Sequence, residues 1–279
     1  MKTFLTIFLM CIACVPQAFP QDNSKIGEVK NSALFHSEEL TYEVSWWAFD
    51  LGTLKMSMHH SGNSDSSFLA VCYIDSYDGL PFADIHSIFK TTMDNNAVSK
   101  SFTALDKEAK DKWVVTRYVY DAAKSTAVVQ KGGVREPSEP AITPTFVDTI
   151  SINPLTQDGL SLFYFARRQV KSLDTITVKA IVTEKAGSAT MNFYGKETEI
   201  EIDAVDYPVS VVEFDGRADF KGIFGLTGEF KGWFSNDDAR VPIKAKVGVI
   251  LGNVTMELIG WKRTGWIPPK RMKKNYVGE

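Results

Sequence analysis

The chain has little from which to build a disulfide or metal framework, with three cysteines and four histidines in 279 residues. Cys11 and Cys14 both lie near the N-terminus, so Cys72 stands alone in the rest of the chain and an internal disulfide network there is excluded. Charge of one sign is also lacking. A formal net charge of -3 gives no basic field, which argues against a nucleic-acid partner. No apolar run is long enough for a membrane-spanning helix, which needs roughly 20 residues. No internal repeat is evident, so solenoids and propellers are not expected.

What is present is globular and rich in aromatics. Hydrophobic residues make up 44% and charged residues 23%, with eighteen Phe, nine Tyr and six Trp suited to the faces of a large sheet. The N-terminal "MKTFLTIFLMCIACVPQAFPQD" carries Lys2, then an apolar stretch of about ten residues from Phe4 to Ala13, then a small residue, Ala18. This order reads as a secretory signal over residues 1–21, with the product in the periplasm or at the outer membrane. "IAC" ending at Cys14 also has the form of a lipoprotein box, with Cys14 as lipidation candidate, although Cys11 stands where Leu is usual. Residues 22–37 are polar and read as a flexible arm.

From residue 38 the pattern is that of strands. "ELTYEVSWWAFD" alternates Leu40, Tyr42, Val44 and Trp46 against Thr41, Glu43, Ser45 and Trp47, and "LGTLKMSMHHSG" alternates through Leu54, Met56 and Met58. Asp50 to Gly52 predict the turn of a hairpin between them. Roughly a dozen such segments continue to residue 262. They predict a mainly β fold, a strongly curved antiparallel sheet or open β-barrel, in a single domain over 38–262. The Pro-rich "VREPSEPAITP" (134–144) reads as a surface loop and the best candidate for an internal boundary. The basic "RTGWIPPKRMKKNYVGE" that closes the chain reads as a tail from 263 to 279, either solvated or held against an anionic membrane surface.

One segment breaks the strand pattern. In "QDGLSLFYFARRQ" the residues Leu160, Phe163, Tyr164 and Arg167 stand at helical spacing, and Leu162, Phe165 and Ala166 make the opposite side apolar too. A helix over about 156–170 is expected, capped by Thr156 or Asp158 and buried on most of its circumference inside the sheet. Asp158 and Arg167 lie about 13 Å apart along such a helix and cannot pair with each other. Arg167 is therefore expected to meet a carboxylate from the sheet.

Three stretches, "SEELTYEVSWWAFDLGTLKM" (37–56), "QDGLSLFYFARR" (157–168) and "GEFKGWFSNDDARVPIKAKVGVILGNVTMELI" (228–259), together resemble the bacterial exported family of unknown function numbered 3108 (DUF3108). The chain departs from the family pattern at Ser37, where Gly usually opens the first motif, and at Gly159, where Pro or Ala is usual. The resemblance implies no established activity. It implies a curved sheet around a helix, similar to periplasmic lipoprotein carriers of the LolA/LolB type, which shelter acyl chains on the concave side. Fold alone does not carry that function over.

Few residues offer chemistry. Asp237, Asp238 and Arg240 form a polar cluster suited to a cation or polar substrate, or else a tight turn made by local backbone bonds. Adjacent His59 and His60 point to opposite faces of a strand, and Asp84 with His86 are too few for a metal site. Ser161 lacks a nucleophile elbow, and Cys72 in "LAVCYI" reads as a core thiol. No cofactor, metal or catalytic residue is expected. Trp46, Trp47, Met56, Phe163, Tyr164 and Arg167 either line a pocket for a lipid-like ligand or interlock as core. The leading expectation is a non-catalytic exported envelope protein that binds an apolar ligand or an outer-membrane surface. A hydrolase built on Asp237, Asp238 and Arg240, or a purely structural envelope protein, are the alternatives. The sequence does not define an oligomeric state.

Overall fold

The structure, a computed structural model, describes residues 37–61, 67–80, 84–138, 143–220, 228–249 and 252–271. Residues 1–36, with Cys14, the stretch read as a secretory signal and almost all of the stretch read as an arm, lie outside the described residues. Among the described residues fifteen strands form one sheet. The first eight are β1 (Glu38–Trp46), β2 (Phe49–His60), β3 (Ser67–Ser76), β4 (His86–Asp94), β5 (Ser99–Ala109), β6 (Lys112–Asp121), β7 (Thr126–Val134) and β8 (Thr143–Ser151). A two-residue β9 (Gln157–Asp158) leads into the helix α1 (Ser161–Gln169). The rest are β10 (Thr175–Val182), β11 (Lys185–Ile200), β12 (Val209–Ala218), β13 (Gly228–Ser235), β14 (Pro242–Val249) and β15 (Gly252–Lys262).

The strand order is β8-β7-β6-β5-β4-β3-β2-β1-β15-β14-β13-β12-β11-β10-β9. Two meanders thus run outward from a central β1–β15 pair, and every ladder is antiparallel except the short β9–β10 contact. Laid flat, such a sheet would be about 67 Å across at about 4.8 Å per strand. Yet β8 and β9, its two edges, are joined by residues 152–156 alone, a connection that spans at most roughly 20 Å. The sheet must therefore curl until its edges approach.

Side chains, not ladder bonds, span that seam. The turn between β10 and β11 places Thr183 and Glu184 in left-handed conformations (φ 50° and 59°) and carries Glu184 to the inner face of β6 and β7. There its carboxylate accepts from Lys131 Nζ at 2.9 Å and Thr116 Oγ1 at 3.3 Å, while its amide donates to Tyr118 Oη at 3.0 Å. Tyr120 Oη donates to the Gln157 carbonyl at 3.3 Å.

Inward positions follow the alternation read from the sequence: Leu40 and Tyr42, Met56 and Met58, Phe68, Ala70 and Cys72, and Phe89 and Met93 are all buried. They join Leu160, Tyr164, Phe165, Ala166 and Val170 of the helix region in one cluster with Phe193, Phe214, Phe234 and Leu258 from the other meander. The concave side is filled by the helix.

Three local expectations change. The first hairpin turns at Trp47 and Ala48, with Trp47 left-handed at φ 57°, instead of at Asp50–Gly52. Gly52 lies within β2 opposite a register irregularity at Val44/Ser45, where a Cβ would meet the Asp75 carbonyl at 2.2 Å. Glycine is needed there for close backbone approach, not for reversal. The helix is shorter than 156–170, because Gln157 and Asp158 are drawn into a bridge with Ala180 and Ile181. Part of the Pro-rich stretch is followed at once by β8, so the sheet continues on both sides of 134–144.

The stretch read as a basic tail folds back as far as Arg271. The Pro269 carbonyl accepts from the Ser210 amide at 2.7 Å, Lys270 bridges Val209 and lies 4.0 Å from the Tyr207 ring centroid, and Trp261 and Trp266 meet edge to face.

Candidate functional site

The helix is tied to both meanders by a polar knot at each end. At its N-terminal end, fully buried Asp158 accepts from the amides of Leu160 and Ser161, both at 2.8 Å, which satisfies two donors that a helix start leaves open. Its second oxygen accepts from Thr91 Oγ1 of β4 and Ser99 Oγ of β5, both at 2.6 Å. Burial pushes this carboxyl above the usual range, and the four hydrogen bonds pull against that. Thr156 instead accepts the Asn153 amide in the preceding turn at 3.0 Å.

At the C-terminal end, Arg167 meets Glu38 in a bidentate ion pair, with Nη2 to Oε2 at 3.1 Å. Nε and Nη2 of the same guanidinium also donate to the Ala239 carbonyl at 2.9 and 2.8 Å. Arg263 adds a second cation on Glu38 at 2.5 Å. Burial alone would lower the Arg167 pKa, but the Glu38 carboxylate outweighs it and the guanidinium is held more firmly charged than usual. Arg168 donates to the Asn95 carbonyl at 3.1 Å and Arg240 to the Arg168 carbonyl at 2.9 Å.

The Asp237 turn lies beside this second knot, at the opposite end of the helix from Asp158. Asp237 Oδ1 accepts from Ser235 Oγ at 2.7 Å and the Arg240 amide at 2.9 Å, and Oδ2 accepts from Trp266 Nε1 at 2.7 Å. Asp238 is exposed. Both carboxylate oxygens of Asp237 thus hold the turn between β13 and β14 and the returning chain, and Arg240 holds the end of the helix.

The six residues expected at a ligand site do not share one surface. Met56, Tyr164 and Arg167 are buried in the core, and Phe163 packs against it from a half-buried position. Trp46 and Trp47 occupy the tip of the first hairpin, with ring centroids 6.0 Å apart. Trp47 is 75% exposed and Phe49, across the turn, 57%. Tyr77 flanks this tip: its amide donates to the Leu51 carbonyl at 3.0 Å and its hydroxyl to Glu43 at 3.0 Å.

Two open clefts, of about 480 and 550 Å³, lie elsewhere, between the connection after β11 and the faces of β13 to β15. Glu199, Glu201, Lys244 and Lys246 line the first and Asp203, Asp206, Tyr207 and Glu257 the second; none of the six expected ligand residues lines either. On the same outer face Glu213 accepts from Lys196 at 2.7 Å, Lys231 at 2.9 Å and Trp233 Nε1 at 2.9 Å.

Among the described residues no group of three or more His, Cys, Asp or Glu is placed to hold a metal ion. His86 lies between Asp75 (2.8 Å) and Asp84 (3.3 Å). Burial pushes the Cys72 thiol far above its usual range, which keeps it protonated and unreactive. Sequence reasoning did not single out Glu38, Thr91, Ser99 or Arg263. For Glu38 the signal was available, because it shares inward parity with Leu40 and Tyr42 in β1.

A curled antiparallel sheet wound round one buried helix defines a β-barrel-like protein. A solved structure with this architecture, a β-barrel-like protein of the domain of unknown function DUF1849 from Brucella abortus, superposes with a TM-score of 0.50. The match has 12% identity and covers 82% of this chain and 98% of that one. No curated protein matches the chain. The chain belongs to the DUF3108 family of proteins of unknown function, whose profile spans residues 41–259.

Proposed function

We propose that this DUF3108 protein is an exported, non-catalytic envelope protein that engages lipid through the tip of its first hairpin. The observation that carries the reading is the pair Trp47 and Phe49, held in the open on a tight two-residue turn. Aromatic rings favour the membrane–water interface, where Trp keeps its N–H wet. Covering two such rings is worth on the order of 5 kcal/mol at about 25 cal/mol per Å². Export is supported by Lys2, the apolar stretch from Phe4 to Ala13, and Ala18. The packed surroundings of Met56, Tyr164 and Arg167 favour lipid contact at the tip over an acyl chain sheltered inside.

Vesicle flotation tests this, with phosphatidylcholine vesicles alone and with added anionic lipid. The protein should float with vesicles, its tryptophan emission should shift to the blue, and Trp47→Ser with Phe49→Ser should remove both effects without changing the unfolding midpoint. A wild-type protein that stays in the soluble fraction, or a double variant that floats equally well, refutes the reading.

A further inference from the structure

The chain beyond Trp266 returns to the sheet beside the second of the two open clefts. The Tyr207 hydroxyl donates to the Pro268 carbonyl at 2.9 Å, and Lys270 Nζ lies over the Tyr207 ring. Tyr207 and Pro208 line that cleft. The bridge between Val209 and Lys270 is antiparallel, so the chain that leaves Lys270 is headed back past Pro208 and Tyr207, in the direction of Glu201. Arg271, the last described residue, is exposed at this point.

The cleft ahead of it is acidic. Glu201, Asp203, Asp206 and Glu257 line it against one cation, Lys244, which is already paired with Glu257. Glu201, Asp203 and Asp206 are exposed, and none of their carboxylates forms a salt bridge with a described residue. The adjoining cleft adds Glu199, with Lys246 beside it. Carboxylates crowded on one short connection repel one another, and a cation brought among them relieves that repulsion. Residues 272–279 read "MKKNYVGE". Lys273 and Lys274 follow Lys270 by three and four positions, a reach of up to roughly 10–14 Å. Tyr276 and Val277 come next, with apolar surface to set against half-buried Val205 in the cleft wall.

We infer that residues 272–279 occupy this cleft as an intramolecular strap, with Lys273 and Lys274 set among the carboxylates of Glu201, Asp203 and Asp206. A single exposed ion pair is weak. Here two cations share three carboxylates, and the chain that carries them is already anchored at Lys270, so the contact forms at high effective concentration. Salt weakens such a strap, because its charges are exposed. The strap turns the lysines of the basic stretch onto the protein's own acids and away from an anionic membrane surface. The inference is independent of lipid contact at the first hairpin, which lies on other strands.

Amide NMR of the full chain tests it, read as the heteronuclear NOE of residues 272–279 and the amide shifts of Asp203 to Tyr207. At low salt the NOE values of the strap should approach those of the sheet, and they should fall in about 1 M salt. Lys273→Glu with Lys274→Glu should lower the ratio of docked to free strap at least about tenfold and shift the amides of Asp203 to Tyr207. Asp203→Lys with Asp206→Lys should lower the ratio equally, and all four changes together should restore it, because reversing both sides exchanges the charges without losing the attraction. An unfolding midpoint unchanged from wild type shows that each variant has folded. A wild-type strap with the NOE values of an unfolded chain, strap variants that leave the cleft amides where they were, or a fourfold variant that does not recover would each overturn the inference. So would docking that disappears on dilution, which marks the strap of a second copy, or a strap ordered only after anionic vesicles are added.

Discussion

Arg167 near the end of the helix and Glu38 at the start of β1 are 129 positions apart in the chain and meet in a buried bidentate ion pair, each side chain no more than 2% exposed. Such a pair adds little over a well-packed apolar pair, but removing one partner strands a charge. Glu38→Gln should cost about 3–5 kcal/mol, leaving Arg167 and Arg263 facing each other across an uncharged amide. Glu38→Leu combined with Arg167→Met should cost clearly less than the sum of the two single changes. Urea denaturation of the four proteins reads this directly, and additive losses would show that the pair does not act as a unit.

Glu213 gives a pH signature. It is buried, which raises its pKa, but bonds from Lys196, Lys231 and Trp233 prevail and hold it down to about 2 from an ordinary 4.5. A depressed carboxylate stabilises the fold fully above its unfolded value and loses that contribution as pH falls through the folded one. Its contribution should therefore be complete above pH 4.5 and fade toward pH 2. Glu213→Gln should be less stable by about 2–3 kcal/mol at pH 7, with the gap closing as the medium is acidified over that window. A gap that stays constant with pH would show that the loss is not electrostatic.

Gly52 tests the corrected hairpin. With a Cβ placed 2.2 Å from the Asp75 carbonyl, Gly52→Ala must push β2 away from β3. A loss of about 1–3 kcal/mol is expected, whereas a glycine serving only as a flexible turn residue would tolerate alanine better. Thermal unfolding of the variant distinguishes the two.

The seam offers a local test. Tyr118→Phe removes the acceptor for the Glu184 amide while keeping the ring packed, and should cost about 1–2 kcal/mol. Amide exchange at Glu184 should accelerate while exchange in β2 and β3 stays as it was. Uniform acceleration would mean that the seam opens only with the whole fold.

The strands were legible wherever one face is buried, because alternation then writes the fold into the chain, as in Leu40, Tyr42 and Met56, Met58. β8 was not, since a strand exposed on both faces has no reason to alternate, and Phe146 and Val147 stand side by side. The helix showed itself by apolar residues all round, and its ends were obscured because Gln157 and Asp158 obey the sheet. Arg167 was expected to meet a carboxylate from the sheet, but its partner depended on where two distant strands come together. The separation of Trp47 from Met56 was equally hidden: both lie in the first hairpin, and only the position of the turn decides which is wet.

Fourteen strand-to-strand contacts build this sheet, and all but one join strands that follow each other along the chain or lie a helix apart. The exception is β1 with β15, where Glu39 pairs with Lys262. Closing that contact brings together segments more than 200 positions apart, at an entropic cost that rises with loop length. Each meander can zip from its own hairpins at local cost, so of the fourteen contacts the meeting of β1 and β15 carries the largest loop-closure cost. The Glu38–Arg263 pair lies at that junction, and it forms only once both halves of the chain have been made.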